Sequence, residues 1–310
     1  MAPSVSISVL NYQRREALRE ALDGARRQHG PVLELIAVDN ASADGSAEMV
    51  RDDFPDVRLV RLPENVGAAA RNAGVAAAKG DIVVTIDNDV RFTTPDDVER
   101  AVEAFARHPG AAVVNFMIVG ADGRLSRRDW CHPRDPDRWA EHEFLTDYVL
   151  EGASACRRDA FLATGGYWPP FFIGHEGWDL ALRLIGAGHD LVYTPTVRVR
   201  HLADPSVRPS SRIYYTFARN AVWVALRHHR PLAAARSIAQ DLALMAFAAA
   251  RAGEIRAWAR GVRDAVRGAP VALASRQPLP PSASARLAAI RALKPGVLAR
   301  VRRHVRERLI

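Results

Sequence analysis

Cysteine is nearly absent from this chain of 310 residues: Cys131 and Cys156 are the only two. Two thiols so far apart in sequence suggest neither a disulfide framework nor a zinc site, and a reduced, cytoplasmic setting is expected. Long apolar runs are missing as well. The longest, LALMAFAAA at 242–250, is closed off by Asp241 and Arg251, short of the roughly 20 residues a membrane helix needs. No spanning segment is expected. The opening stretch, MAPSVSISVLNYQRRE, has no basic flank followed by an apolar run and a cleavage site, so no secretory signal is expected. No internal repeat is visible.

The remaining composition, 48% apolar and 25% charged, is ordinary for a globular protein. The length accommodates one catalytic domain and an appendage. The net charge of +8 is unevenly spread. Residues 251–310 carry fourteen Lys and Arg against three Asp and Glu, a net +11, which leaves about −3 for residues 1–250. The basicity therefore belongs to the tail. Such a tail suits nucleic acid, an anionic membrane or an acidic polymer, or is simply a solvated helical face.

Over the first two hundred residues, short β-branched runs alternate with helical stretches. Val5–Leu10, Leu33–Val38, Val57–Leu62 and Ile82–Ile86 read as strands, with helices over Arg14–Gln28, Ser46–Asp53 and Gly67–Lys79. This alternation predicts an α/β fold with a mainly parallel central sheet. Ligands of such sheets bind beyond the carboxyl ends of the strands. Those ends read Asn11-Tyr12, Asp39-Asn40-Ala41-Ser42, Glu64-Asn65-Val66-Gly67 and Asp87-Asn88-Asp89. Asn, Asp and Ser also cap helices and begin turns, but here all four sets fall on the ligand-binding edge. Aspartates at i and i+2 of an extended segment point to one side, so Asp87 and Asp89 can face one hard cation. That cation would bridge the phosphates of a nucleoside diphosphate. Ala111–Ile118 reads as a buried strand, 121–148 as a long polar surface loop, and the chain after His201 as helices.

The blocks VSISVLNYQRREALREAL, ELIAVDNASADGS, LPENVGAAARNAGVAAAKGDIVVTIDNDV and GGYWPPFFIGHEGWDLALRL resemble family-2 glycosyltransferases of the GT-A fold, and within them the rhamnosyltransferase-like branch. The resemblance spans roughly residues 4–205. It implies a GT-A domain over 1–205, and the residues beyond read as a helical extension over 206–276, then a linker and basic amphipathic helix over 277–310. It also implies an inverting transfer from a UDP-, dTDP- or GDP-linked sugar to an acceptor hydroxyl, assisted by Mn2+ or Mg2+. Tyr12 would lie against the nucleobase and Asp39 would accept from the base edge or ribose. Asn65, Gly67 and Arg71 would sit by the ribose and diphosphate, with Asn11 and Asn88 in the same nucleotide-sugar pocket. Asp87 and Asp89 match the Asp-x-Asp metal motif, and His201 matches the histidine that completes the metal site in several members.

An inverting transfer needs a group that takes the acceptor's proton. The family carries a Glu-Asp pair at the start of a helix, and its second member is commonly that base. Here the motif reads Glu176-Gly177-Trp178-Asp179-Leu180, with glycine at the expected position. The base role then falls to Glu176, with Asp179 the other candidate, and Gly177 is expected to free space for substrate. Trp168, His175 and Trp178 read as acceptor-pocket walls, and Arg219-Asn220 as either a phosphate or acceptor contact or a helical salt bridge. Two other classes compete: a nucleotide-sugar-binding protein without turnover, which Gly177 favours, and a nucleotidyltransferase. The latter usually has a Gly-rich basic loop after strand one, where this chain has Asn11-Tyr12-Gln13-Arg14. No nucleic acid partner is expected. Leu287, Ile290, Leu293, Val297, Val301 and Val305 recur near helical spacing among arginines, a pattern that suits peripheral attachment to the inner membrane face.

Overall fold

The computed structural model describes residues 3–202 and 211–296. Strands β1 (Val5–Asn11), β2 (Val32–Asp39), β3 (Val57–Arg61) and β4 (Ile82–Asp87) alternate with helices α1 (Arg15–Arg26), α2 (Ser46–Asp53) and α3 (Arg71–Ala77). β5 (Val90–Phe92), α4 (Asp97–Arg107) and β6 (Ala111–Val119) follow, then α5 (Pro136–Trp139), β7 (Phe144–Leu145), β8 (Ala153–Arg157) and α6 (Arg158–Ala163). α7 (Glu176–Gly186) and β9 (Asp190–His201) complete the sheet region.

The strands lie in the order β3-β2-β1-β4-β8-β6-β9-β5, with β7 pairing β9. The predicted parallel arrangement holds for β3, β2, β1 and β4. Beyond β4 the sheet is mixed: β8 runs antiparallel to both β4 and β6, β9 is parallel to β6, and β5 and β7 are antiparallel to β9. β1 is buried on both faces, as its apolar run requires. The register brings the ends of β1, β2, β4, β6 and β9 and the start of β8 to one edge. There Leu10 pairs with Asp87, Asn11 with Asp39, and Ile86 with Ala153. Residues 120–152 therefore leave from and return to the functional edge. They are not merely a polar surface loop, because Trp130, His132, Phe144 and Tyr193 pack edge-on and stacked against one another. His132 is buried, and burial holds its imidazole down at about 3.

Helices α8 (Ser211–His228), α9 (Pro231–Arg251), α10 (Ile255–Arg267), α11 (Ala269–Ala274) and α12 (Pro281–Arg291) follow. Val222, Trp223, Ala265 and Ala272 share one apolar cluster with Leu180 and Leu184 of α7 and with the sheet face. Two expectations are corrected here. α9 is one helix of 21 residues, long and apolar enough by length and composition to cross a membrane, and only 11% of that span is buried. Asp241, between Gln240 and Leu242, lies inside the helix and does not end it, so the helix runs well beyond 242–250. The second concerns the tail. Gln277 and Leu279 donate backbone N–H bonds to the carbonyls of Arg227 and His228, so the segment is docked rather than a free linker. α12 begins at Pro281, where a fixed φ favours a first helical turn, and ends at Arg291. Its Leu287 and Ile290 are buried in the shared cluster, which removes them from any membrane-facing seam; Leu293 is exposed, and Val297, Val301 and Val305 lie outside the described residues. Replacing Leu287 by Ala should cost about 2–4 kcal/mol, the range for a buried leucine that leaves a cavity; an unchanged thermal melt would show that α12 does not belong to this core.

Candidate active site

A buried asparagine organises the edge where β1, β2 and β4 end. Asn11, wholly covered at the end of β1, donates to Asp39 Oδ1 at 3.4 Å and to Ser42 Oγ at 3.2 Å, and accepts from Asn88 Nδ2 at 2.6 Å. Three strand ends are thereby tied together by one amide with both of its ends engaged. Asn40 repeats the device one loop further, donating to Asn65 Oδ1 at 3.0 Å and to the Gly67 carbonyl at 3.2 Å and accepting from the Val66 N–H at 3.0 Å. Gly67 has φ +64°, and a Cβ there would collide with the Phe172 carbonyl. That carbonyl accepts the Ala68 N–H at 2.7 Å, so Gly67 admits the loop before α7 rather than only its own helix. Asn11 and Asn88 are sealed and tie the strand ends together, unlike the ligand contacts the sequence suggests. Asp39 is also almost fully covered, accepting from the Ser42 N–H at 3.3 Å with Arg61 Nε 3.8 Å away. Tyr12 is 46% exposed beside them.

Asp87 and Asp89 both end β4's edge but face different cations. Asp87 pairs with the buried Arg71, and Asp89 with Arg14, while His201 Nε2 lies 3.8 Å from Asp89 Oδ1. His201 Nδ1 lies 3.2 Å from Asp129 Oδ2, and the carboxylates of Asp129 and then Asp89, accepting from the imidazole, hold it up at about 10. Among the described residues no three His, Cys, Asp or Glu side chains form a ready metal cage. The donor set nevertheless suits a hard divalent ion, which is commonly held by one or two carboxylates together with substrate phosphates. Asp129, absent from the sequence reading, orients the histidine in the way a carboxylate behind a metal-binding imidazole does. Its place in a polar loop gave no periodic or motif signal.

The acceptor-side residues separate. Glu176 opens α7, is 6% exposed, and its Oε2 has no hydrogen-bond partner among the described residues. Burial and the nearby Glu151 push its carboxyl up to about 8. Asp179 is completely buried and points away, toward α8. Its Oδ1 accepts from His228 Nε2 at 2.6 Å and Arg227 Nε at 2.8 Å, and its Oδ2 from Arg183 Nη2 at 2.8 Å. It anchors helix to helix and meets no acceptor. Trp168 is packed against Phe171 and Trp223 with the Arg227 guanidinium 4.0 Å above its ring, so it belongs to the same anchor. Trp178 lies under Arg291, its ring near His175, and His175 holds a left-handed φ of +67° at the cap of α7, where burial brings its imidazole down to about 4. Asn220 donates to the carbonyls of Phe171, Ile173 and Gly174, and Arg219 to that of Phe171. These two residues clamp the loop that leads into α7.

Gly177 frees no space. A Cβ on it would strike the Val149 carbonyl and the Glu151 carboxylate. Glu151 Oε1 accepts the Gly177 N–H at 2.7 Å and lies 3.4 Å from the Tyr148 hydroxyl. The sequence reading passed over Glu151, although a lone carboxylate in YVLEGASAC, apolar on both sides, is the signal that marks it.

The model of a family described as Glycosyl transferase family 2 matches residues 5–164, about half of the chain. The succinoglycan biosynthesis protein ExoO of Rhizobium meliloti (strain 1021) is 36% identical over 128 residues, covering 40% of this chain and 36% of that protein. The uncharacterized glycosyltransferase YwdF of Bacillus subtilis (strain 168) is 31% identical over 188 residues, 58% of this chain and 67% of YwdF. The chain thus matches about a third of ExoO's length and two thirds of YwdF's. Among solved structures, the mannosyltransferase PcManGT from Pyrobaculum calidifontis, in complex with GDP-Man and Mn2+, superposes with a TM-score of 0.59 at 22% identity, over 97% of this chain and 83% of that one.

Asp179 supplies the test of the anchor. Burial pushes its carboxyl up, but the His228 hydrogen bond and the charges of Arg183, His228 and Arg227 outweigh it and hold the group at about 2, below its ordinary 3.8. A carboxylate lowered on folding contributes stability above its ordinary value and loses it as pH falls through the folded one. The anchor's contribution should therefore be complete above about pH 4 and fade toward pH 2. Asp179→Ala, which leaves buried arginines uncompensated, should cost about 3–5 kcal/mol at neutral pH in a denaturant melt; a loss of turnover with unchanged stability would return Asp179 to the chemistry.

Proposed function

The chain belongs to glycosyl transferase family 2 and has the GT-A fold, and on that premise we propose that it transfers a sugar from a nucleoside diphosphate to an acceptor hydroxyl, with inversion and with a divalent metal. The observation that carries this reading is the meeting, along one sheet edge, of exposed Tyr12, the Asp87–Asp89–His201 set and the carboxylates Glu151 and Glu176 around Arg71. Tyr12 offers the base a flat face. Asp39 and Asn65, held by the two asparagine ties, fix the ribose side. Asp87, Asp89 and His201 would hold Mn2+ or Mg2+, which offsets the charge of the departing diphosphate. Arg71 keeps the carboxylates on either side of the reacting centre at a set spacing, and Glu151 and Glu176 are the groups that can receive a proton. The blocks around Glu176 support the rhamnosyltransferase-like branch for the sugar. ExoO's name, a succinoglycan biosynthesis protein, supports a glycan as acceptor.

A lipid-borne acceptor at the cytoplasmic membrane face is favoured by a separate observation. α9 presents Leu232, 86% exposed, and Phe247 to solvent, and the neighbouring α10 exposes Ile255 and Val266 among Arg256, Arg260, Arg263 and Arg267. Apolar side chains interleaved with arginines suit the interface of an anionic bilayer. This reading moves the membrane contact from the α12 seam to α9 and α10.

Two measurements test these readings. Asp89→Asn, or a chelator added to the unaltered protein, should weaken nucleoside diphosphate binding and abolish most turnover in a donor-hydrolysis assay with Mn2+; full activity in chelator would remove the metal from the scheme. Leu232→Glu with Phe247→Glu should lower sedimentation with phosphatidylglycerol vesicles, more so at high salt, without changing the thermal melt. Equal sedimentation of the variant would withdraw α9 from the membrane.

A further inference from the structure

Glycine at position 177 leaves the start of α7 one carboxylate short of the Glu-Asp pair that its motif resembles, and the volume beside it is filled from another part of the chain. Resting on the transferase reading above, we propose that Glu151, delivered by the loop before β8, is the base that takes the acceptor's proton. Four contacts fix it there. Asn115 donates to the Tyr148 carbonyl at 3.0 Å and accepts the Leu150 N–H at 2.7 Å, which sets the path of residues 148–150. The Thr85 hydroxyl donates to the Glu151 carbonyl at 2.9 Å. The next residue, Gly152, packs its Cα against the Asp87 carboxylate, where any side chain would collide. The Glu151 carboxylate then reaches across to the Gly177 N–H at 2.7 Å. It stands between the end of β4, where the diphosphate belongs, and the first turn of α7, where the acceptor belongs.

The division of labour between the two glutamates follows from their surroundings. Glu176 is nearly sealed and has an oxygen without a partner, a setting that favours the neutral acid. Glu151 is half-buried, with one oxygen on an N–H of the helix's positive end, a setting that favours the carboxylate. Burial raises both groups and Arg71 opposes it in both, while Glu151 raises Glu176 further and Asp87 raises Glu151. Two adjacent carboxyls of this kind titrate as a pair. The unpartnered oxygen of Glu176 suits it to keep the proton of the pair, and the Gly177 N–H on Glu151 suits that group to carry the charge and to accept the acceptor's proton.

The transfer step then balances as follows. A lone pair of the acceptor hydroxyl oxygen forms the new bond to the anomeric carbon while the bond from that carbon to the diphosphate oxygen breaks, its electron pair leaving with the diphosphate. The hydroxyl proton passes to a Glu151 carboxylate oxygen. Water in the acceptor's place gives the same balance and releases free sugar.

The test uses the full chain with Mn2+ and three probes, UDP-glucose, dTDP-glucose and GDP-mannose, following release of the nucleoside diphosphate. Glu151→Gln keeps an oxygen for the Gly177 N–H and removes the base. Release should fall about 10²-fold, while affinity for the matching nucleoside diphosphate stays within about twofold of the parent. Sodium formate should restore release at least tenfold in Glu151→Ala and not in Glu176→Ala. Glu151→Asp, which keeps the charge at shorter reach, should recover part of what Glu151→Gln loses, and this arm decides if Glu151→Gln melts early. Glu151→Gln at parental rate, no recovery with Asp, or formate rescue confined to Glu176→Ala would overturn the assignment while leaving the transferase reading in place. A parent protein that releases diphosphate from none of the three probes would overturn both.

Discussion

The hydrogen bonds of one buried amide govern the donor edge. Asn11 has no solvent to fall back on, so each of its polar atoms must find a partner inside the protein, and it finds them on Asp39, Ser42 and Asn88. Everything that faces a ligand on that side hangs from those partners. Tyr12 follows Asn11 directly, Asp87 and Asp89 flank Asn88, and the Asn40 tie continues the chain of bonds to Asn65 and Gly67. Loss of the Asn11 amide would leave three buried polar groups short of a partner at once.

A second fastening works from the opposite side. α7 carries Glu176 at one end of its first turn and Asp179 at the other, and the two point in opposite directions: one toward the crevice, one into the arginine and histidine side chains of α8. The core-facing member holds the helix so that the crevice-facing member and the Gly177 N–H keep their positions. The clamp of Arg219 and Asn220 on the Phe171–Gly174 carbonyls does the same for the entry to that helix. Helices beyond the sheet thus take part in shaping the acceptor side, which explains why they share its apolar cluster.

Legibility in the sequence tracks how local each cause is. Strands β1 to β4 were readable because their apolar runs are continuous and the polar residues at their ends fall where parallel sheets bind ligands. Motif and position bring Asp87, Asp89 and His201 to one edge, but not the separate pairing of Asp87 with Arg71 and of Asp89 with Arg14. What escaped was everything decided by contacts between distant segments. Asn11 and Asp179 carry the residue types of a site and serve as ties, a difference that only burial and partners reveal. Trp168 reads as a pocket wall and is packed under Arg227. Leu287 and Ile290 carry an amphipathic pattern that fits a membrane or a core equally, and the core claims them. Glu151 had no motif at all, since its importance arises from the absence of a side chain 26 residues away at Gly177.

The excursion from 120 to 152 starts at the end of β6 and finishes at the start of β8, two strands already paired with each other. Its two ends are therefore fixed neighbours whatever lies between them. Residues can be added to or removed from its exposed turns without shifting the pairing of β6 with β8. Its aromatic cluster closes against Met117 and Val119 of β6 and Tyr193 of β9, and β7 pairs β9, so the excursion is held shut on the sheet. The excursion still touches the nucleotide side at two points, Asp129 on His201 and Gly152 on Asp87, so a change in what this enzyme accepts has to be made between those fixed points.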